Sequence, residues 1–164
     1  MRGAILQVNV SRGGIPKRPI EEGFLAPLGI EGDAVAHPQF HGGPRQAVLL
    51  IAKEVIDALA AAGWPVFPGA LGENLTTEGI DHKQFRPYQR YRVGEAVIEL
   101  TKPRSPCAAL DMYGPGIQRE IYDKAVKAGD VSSPHWGMSG FYASVVQSGT
   151  IRPQDIIVLL DQAV

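Results

Sequence analysis

Glycine and proline recur so often along this chain that it can hold few long helices. The sequence has 19 glycines and 13 prolines among 164 residues, whereas the two types together usually make up roughly 12% of a chain. They follow no Gly-X-Y period, which excludes a collagen-like triple helix. Because both types favour turns and interrupt helices, the pattern predicts many short elements and a fold rich in β-strands.

Several short segments have the apolar patterning of strands. Residues 4–10 alternate as a half-buried strand does, with Leu6 and Val8 on the apolar face and Asn9 on the polar face. Residues 147–150, of turn-forming composition, are expected to connect two strands near the end of the sequence. Further strands are expected at 24–30, 48–51, 96–100, 141–146 and 156–160, with short ones elsewhere within 71–100.

Two segments have helical spacing of apolar residues. A helix is expected over 52–62, followed by Gly63 as a left-handed cap, and a second over 117–128. Repeats, low-complexity tracts and linkers are absent from the sequence. Many short strands and two helices predict a mainly β protein with helical insertions, a single-domain β-barrel over residues 1–164.

Charge and cysteine content restrict the function classes. The formal net charge is −1 and the pI is 6.4, so a general attraction to nucleic acid or to an anionic membrane is not indicated. The one cysteine, Cys107, excludes an intrachain disulfide, a zinc site of several thiolates and an iron–sulfur cluster. Neither a signal-peptide core nor an apolar run of membrane-span length is found, and a cytoplasmic location is the expectation.

Cys107 is the first candidate for chemistry. It follows the expected strand end and two prolines, with Arg104 close by, and it precedes an apolar stretch that could begin a helical turn. A helix start and a nearby arginine both stabilise thiolate, the form that binds soft metals and attacks sulfur. A buried cysteine that acts as a small hydrophobic residue is the alternative.

A second candidate is the segment from His41 through Gly42 and Gly43 to Arg45. Paired glycines could form a nest of backbone N–H groups that holds a phosphate, with His41 and Arg45 as further donors. An ordinary glycine turn is the alternative. His37 and His41 have the spacing of a metal pair on a helix, but the proline and glycines around them make that helix unfavourable.

The third candidate is the segment around Glu73, Asn74 and Thr76. The amide and the hydroxyl offer neutral hydrogen bonds that suit a heterocycle, and Glu73 could accept one. A tight turn capped by its own side chains is the alternative.

Taken together, these segments resemble the MOSC family, named for the C-terminal domain of molybdenum cofactor sulfurase, and in particular its small stand-alone bacterial members. The resemblance covers nearly the whole chain in the expected order. The matching segments are 29–33 (GIEGD), 40–43 (FHGG), 68–76 (PGALGENLT), 103–107 (PRSPC), 137–142 (GMSGFY) and 149–155 (GTIRPQD). Residues 111–116 match no family segment, so the substrate is not defined.

The resemblance implies a closed β-barrel, like the barrel of pyruvate kinase, with a pocket for the molybdenum cofactor. It implies Cys107 as the molybdenum ligand in a reductase of N-hydroxylated compounds. Since the sequence has no flavin or iron–sulfur motif, the electrons are expected to come from a separate electron-donor protein. The implied cofactor contacts are His41, Gly42, Gly43, Arg45, Glu73, Asn74, Thr76 and Arg104. Two alternatives stay open: a sulfur carrier that holds a persulfide on Cys107 and needs a cysteine desulfurase, and a non-catalytic ligand-binding barrel.

Overall fold

The computed structural model describes residues 1–35 and 41–160. Most regular structure in these two ranges is extended. The strands are β1 (Arg2–Val10), β2 (Arg18–Ile20), β3 (Gly23–Ala26), β4 (Gly29–Ile30), β5 (Val48–Ala52), β6 (Leu75–Glu78), β7 (Arg90–Val93), β8 (Ala96–Pro103), β9 (Phe141–Gln147), β10 (Gly149–Ile151) and β11 (Ile156–Leu159). The α-helices are α1 (Lys53–Ala61), α2 (Ile117–Ile121) and α3 (Lys124–Lys127), and short 3-10 helices lie at Pro44–Gln46, His82–Gln84 and Ala108–Tyr113.

Seven of the strands close into a barrel. Their order is β11-β7-β8-β9-β5-β6-β1, and β1 pairs back with β11, with Arg2 opposite Val158. The β5–β6 pairing is parallel and the other pairings of the ring are antiparallel. Closure leaves no free edge in the ring. The prediction of a mainly β closed barrel is confirmed.

The remaining strands lie beside the ring. Strand β2 extends β1 outside the barrel, and β10, β3 and β4 form a separate three-stranded sheet. Residues 147–150 were expected to be only a turn, yet β10 begins at Gly149 and pairs with β3, where Gly149 lies opposite Leu25. The turn prediction is therefore wrong in part, because a strand of three residues is too short to show a period.

Strand β5 separates two hydrophobic cores. Val48 and Leu50 belong to the core inside the barrel, whereas Leu49 and Ile51 belong to a second core outside it, packed under α1 and α2. Burial on both faces explains why this strand is a continuous apolar run rather than an alternating one. The main core also contains an edge-to-face aromatic cluster, with ring centroids 5.7–5.8 Å apart, formed by Phe85, Tyr91, Trp136 and Phe141.

Strand β1 departs from its expected alternation. Its register with β6 shifts between Ile5 and Gln7, which makes a bulge at Leu6. A bulge adds one residue and reverses the phase of the pattern beyond it. Ile5 is therefore buried together with Val8, and Asn9, expected on the polar face, is also fully buried.

The first predicted helix is confirmed. Helix α1 covers Lys53–Ala61 within the expected range, and Gly63 follows it at φ 101°, the left-handed value expected of the cap. Nothing among the described helices is long and apolar enough to cross a membrane.

The second predicted helix is broken into α2 and α3. Tyr122 is extended, with φ −154° and ψ 144°, and Asp123 then caps α3 by accepting a hydrogen bond from the backbone N–H of Val126 at 2.8 Å. Apolar spacing over 117–128 predicted one continuous helix, and this prediction is wrong. An aspartate that caps a new helix favours a break over continuation.

Candidate functional site

A concavity at one side of the barrel wall, called here the main cavity, has a volume of about 360 Å³. Its walls come from the loop after β1, the hairpin of β3 and β4, the segment that follows His41, and the chain around Asn74 and Cys107. Apolar side chains make up much of the lining. The polar side chains are Lys17, Asp33, His41, Gln46, Asn74, Arg104 and Tyr142, and the Cys107 thiol also lines the cavity.

Cys107 stands at the end of the segment that leaves β8. It is a free, half-buried thiol, and its carbonyl accepts a hydrogen bond from the Leu110 N–H at 3.1 Å as the 3-10 helix begins. The helical turn predicted after Cys107 is therefore confirmed. The thiol reaches the cavity directly, so it is not a wholly buried side chain of the core.

Arg104 brings a buried positive charge to the same cavity. Its Nε donates to the Ser139 carbonyl at 2.8 Å, and its backbone N–H donates to the Gly140 carbonyl, also at 2.8 Å. Its Nη2 is buried without a hydrogen-bond partner in the described structure. Burial lowers the pKa of Arg104, and the nearby Tyr142 and Glu73 oppose this effect. A guanidinium with an unused buried donor is suited to an anionic ligand.

Lys17 and Asp33 form a second charged feature of the cavity. Lys17 Nζ lies 2.7 Å from Asp33 Oδ1, and Asn74 Nδ2 donates to Asp33 Oδ2 at 2.9 Å. Asn74 Oδ1 in turn accepts from the Leu49 N–H at 3.1 Å. These bonds tie the loop after β1 to β5 and fix the orientation of the Asn74 amide.

The segment that begins at His41 forms another wall. His41 Nδ1 lies 3.2 Å from the Tyr142 hydroxyl. Gly42 and Gly43 both line the cavity with positive φ, 83° and 88°. The nest of backbone N–H groups at this pair stays a prediction. The region of φ that the two residues occupy favours glycine.

Three predicted residues do not line the main cavity. Glu73 is fully buried behind it, where its Oε2 accepts from Thr76 Oγ1 at 3.1 Å, while Thr76 also accepts from Asn9 Nδ2 at 3.2 Å. Burial raises the pKa of Glu73 to about 7. Arg45 is exposed. Cofactor contacts by these three side chains stay predictions.

The structure does not test the spacing of His37 and His41 as a pair of metal ligands. His37 lies outside the described residues, as does Phe40 of the FHGG segment. Within residues 1–35 and 41–160, no group of three or more histidine, cysteine or acidic side chains could hold a metal ion.

Sequence reasoning did not single out Tyr142 or Lys17. Tyr142 reaches the cavity because β9 places it opposite Leu49 of β5 and Lys102 of β8. The signal for it was its position at the end of the GMSGFY segment. Lys17 lies in a loop with no motif, and only the fold brings it to Asp33.

Comparison with known proteins relates this site to a family. A family model described as the MOSC domain matches residues 37–158. The chain is 30% identical over 152 residues to an uncharacterized protein, YflK, of Bacillus subtilis (strain 168), a match that covers 91% of this chain and 64% of that protein. It is 35% identical over 98 residues to protein YiiM of Escherichia coli (strain K12), covering 55% of this chain and 42% of that protein. The matches thus span less than two thirds of either relative.

Solved structures share the fold. The crystal structure of YiiM from Escherichia coli matches with a TM-score of 0.70 and 26% identity, covering 99% of this chain and 71% of that chain. YiiM from Geobacillus stearothermophilus matches with a TM-score of 0.72 and 25% identity, covering 99% of this chain and 77% of that chain.

Proposed function

Since this chain belongs to the MOSC domain family, we propose that it binds the molybdenum cofactor in the main cavity and reduces N-hydroxylated compounds, with the Cys107 thiolate as a ligand to molybdenum. One observation carries the proposal. A free cysteine and a buried arginine, Arg104, line the same cavity, and the arginine keeps one buried N–H group without a partner.

The residues of the cavity fit such a group. A thiolate is a soft ligand of the kind that molybdenum accepts in cofactors of this type, and Arg104 suits an anionic part of the cofactor, such as its phosphate. His41, Gly42, Gly43 and Asn74 line the cavity and are proposed as direct contacts. Arg45, Glu73 and Thr76 do not line the cavity, and contacts from them to the cofactor are the less direct part of the proposal.

The reaction has a defined balance. An N-hydroxylated compound takes up two electrons and two protons and yields the amine and water. The bound cofactor supplies the redox change, and the electrons come from a separate electron-donor protein. This chain contributes orientation, and the hydrogen-bonded Tyr142 and His41 can hold a proton at the cavity wall.

We propose that residues 1–164 act in this as a single MOSC domain. The family match begins at residue 37, yet β1, which precedes it, belongs to the barrel through its pairing with β11.

A sulfur carrier is the second candidate, and the half-buried state of the Cys107 thiol favours it. A cysteine desulfurase that carries a persulfide would transfer its outer sulfur to the Cys107 thiolate, and the desulfurase cysteine would leave as a thiolate. In this case Cys107 gains one sulfur, and molybdenum is not required.

The test measures molybdenum and pterin per chain in protein purified from molybdenum-replete cells, for the parent, Cys107→Ser and the control Ser132→Ala, whose hydroxyl is exposed and outside the cavity. The first proposal expects both components in the parent and in the control. In Cys107→Ser, X-ray absorption shows one sulfur fewer around molybdenum, and reduction of a hydroxylamine-type substrate is lost.

Unchanged molybdenum coordination and activity in Cys107→Ser would refute the ligand role of Cys107. Protein without molybdenum that gains a single sulfur on Cys107, as seen by mass after incubation with a desulfurase and cysteine, would establish the sulfur carrier instead. Circular dichroism shows that each variant is folded.

A further inference from the structure

A second concavity, called here the basic cleft, lies against the main cavity. It has a volume of about 300 Å³, within the size range of small-molecule sites. His41, Gln46 and Tyr142 line both concavities. The hydrogen-bonded pair of His41 and Tyr142 therefore forms part of the wall between them.

The cleft has a positive lining. Lys102, from β8, and Lys127, from α3, both line it, and none of its described lining residues is acidic. No ion pair or side-chain hydrogen bond of either ammonium group is found within residues 1–35 and 41–160. By contrast, Lys17 and Lys53 each pair with an aspartate.

The acidic residue at the start of α3 does not neutralise these lysines. Asp123 lies 2.8 Å from His135 Nδ1, and it accepts hydrogen bonds from Ser133 Oγ and from the Val126 N–H, also at 2.8 Å. Asp123 is thus engaged by three other groups, and no ion pair between it and Lys102 or Lys127 is found in the described structure. The charge of Lys127 remains available to a ligand.

Neutral donors complete the lining. Ser105 and Tyr122, whose side chains carry hydroxyls, line the cleft, while Pro103 and Val126 give it an apolar part. Ammonium groups and hydroxyls are the donors that bind carboxylate and phosphate oxygens. An apolar part beside them can hold the carbon atoms of an organic anion.

We propose that the basic cleft is an anion-binding site, separate from the main cavity, that takes a carboxylate or phosphate group of a small molecule through Lys102 and Lys127. The anion site itself does not depend on the proposed function. The substrate class that it indicates does rest on that function: an N-hydroxylated compound with an anionic substituent would place the substituent in the cleft and its N–OH group in the main cavity.

The test uses the full chain without cofactor, so that it does not depend on reductase activity. Amide resonances in ¹H–¹⁵N NMR spectra are followed during titration with inorganic phosphate and, separately, with benzoate. The variants are Lys102→Gln, Lys127→Gln and both together. Lys124→Gln is the matched control, because Lys124 is an exposed lysine on the same helix that does not line the cleft.

Saturable shifts at Ser105, Tyr122 and Lys127 are expected with at least one probe. Each single variant is expected to raise Kd about two- to fivefold, the range for one partly exposed ion pair, and the double variant to raise it further, whereas Lys124→Gln leaves it unchanged. Binding of phosphate alone assigns the site to phosphate groups, and binding of benzoate alone assigns it to carboxylates.

Two results would overturn the proposal. One is the absence of saturable shifts at the cleft with both probes. The other is a Kd that is the same in the double variant and in Lys124→Gln. This second result includes the case in which phosphate binds only in the main cavity and shifts only the resonances around Arg104. Since both lysines are exposed, their replacement is not expected to unfold the protein, and the dispersion of the same spectra verifies this.

Discussion

Glu73 and Arg104 are an acidic and a basic side chain buried inside the protein, and no ion pair joins them in the described structure. Glu73 Oε1 and Arg104 Nη2 are both buried without a hydrogen-bond partner. Each charge stabilises the other, but burial is the larger effect on both: it raises the pKa of Glu73 to about 7 and lowers that of Arg104. The charge behind the main cavity therefore changes close to neutral pH.

Glu73→Gln is expected to change how stability depends on pH. The folded-state pKa of Glu73, about 7, lies above its reference value of 4.5. A carboxyl group whose pKa is raised on folding contributes folding stability that is fully present below pH 4.5. This contribution is lost as the pH rises through about 7. Between pH 4.5 and pH 8 the parent should thus lose up to about 3 kcal/mol that Glu73→Gln does not lose. Urea unfolding at both pH values measures the difference.

The control for this experiment is Glu78→Gln, on the same strand β6 but only half-buried. Its stability should follow the pH dependence of the parent. Parallel curves for the parent and Glu73→Gln would show that the buried carboxyl does not titrate in this range.

Asp33→Asn is expected to cost about 3 kcal/mol of folding stability, because it leaves the Lys17 ammonium buried without its counter-charge. The side chains of Lys17 and Asp33 are only 9% and 11% exposed. In the exposed pair on α1, Lys53 and Asp57 are 37% and 58% exposed, so Asp57→Asn should cost less than about 0.5 kcal/mol. Urea unfolding of both variants tests the contrast, and equal losses would contradict it.

Gly140→Ala is expected to disturb the barrel at the support of Arg104. A Cβ at Gly140 would lie 2.7 Å from the Leu50 carbonyl oxygen and 2.7 Å from Ile51 Cγ1, at φ 95°. Overpacking and an unfavourable φ together should cost about 3 kcal/mol or more.

Gly63→Ala separates the two causes. Its φ is 101°, but nothing lies within 4 Å of the added Cβ, so only the backbone term remains, about 1 kcal/mol. Thermal unfolding compares the two variants. If Gly140→Ala loses no more stability than Gly63→Ala, the backbone around Leu50 shifts to accommodate the added Cβ without an energetic cost.

Alkylation reports whether the Cys107 thiol is accessible in the folded protein. Native protein without cofactor should react with one equivalent of iodoacetamide at Cys107, since this thiol is half-buried, free and part of the cavity lining. Cys107→Ser should take up no reagent, because the sequence has one cysteine. Lys83→Gln removes an exposed charge outside the cavity and should leave the rate unchanged. Mass spectrometry over time gives the rates, and a thiol that reacts only in denaturant would contradict the access to Cys107 through the cavity.

The sequence predicted best those elements whose pattern is set by a single environment. The continuous apolar run of β5 and the helix closed by Gly63 were found as expected. The bulge at Leu6 could not be predicted, because it is defined by pairing with a strand about 70 residues away. The break at Tyr122 depends on a cap formed by Asp123, which apolar spacing does not reveal.

The site could be predicted only where its residues are close in sequence. Arg104 and Cys107 lie three positions apart, and both reach the main cavity. Tyr142 and Lys17 reach it from separate strands and loops, and no local pattern marks them. Glu73 is next to Asn74 in the sequence, yet only Asn74 lines the cavity. Both residues precede β6 and lie outside regular structure, so no strand period indicates which side chain faces the cavity.

The pairing of β1 with β11 also governs how the barrel can be assembled. Arg2 must find Val158, so the ring joins segments that are almost as far apart in sequence as any in the chain. On a ribosome, β1 could not pair with β11 until the whole stretch of chain between these two strands had been synthesised. Such non-local contacts slow folding because the intervening loop must be ordered first. Pairing of β1 with β11 should therefore be the slow last step of refolding. Until β11 covers it, the edge of β1 stays exposed to pairing with other molecules.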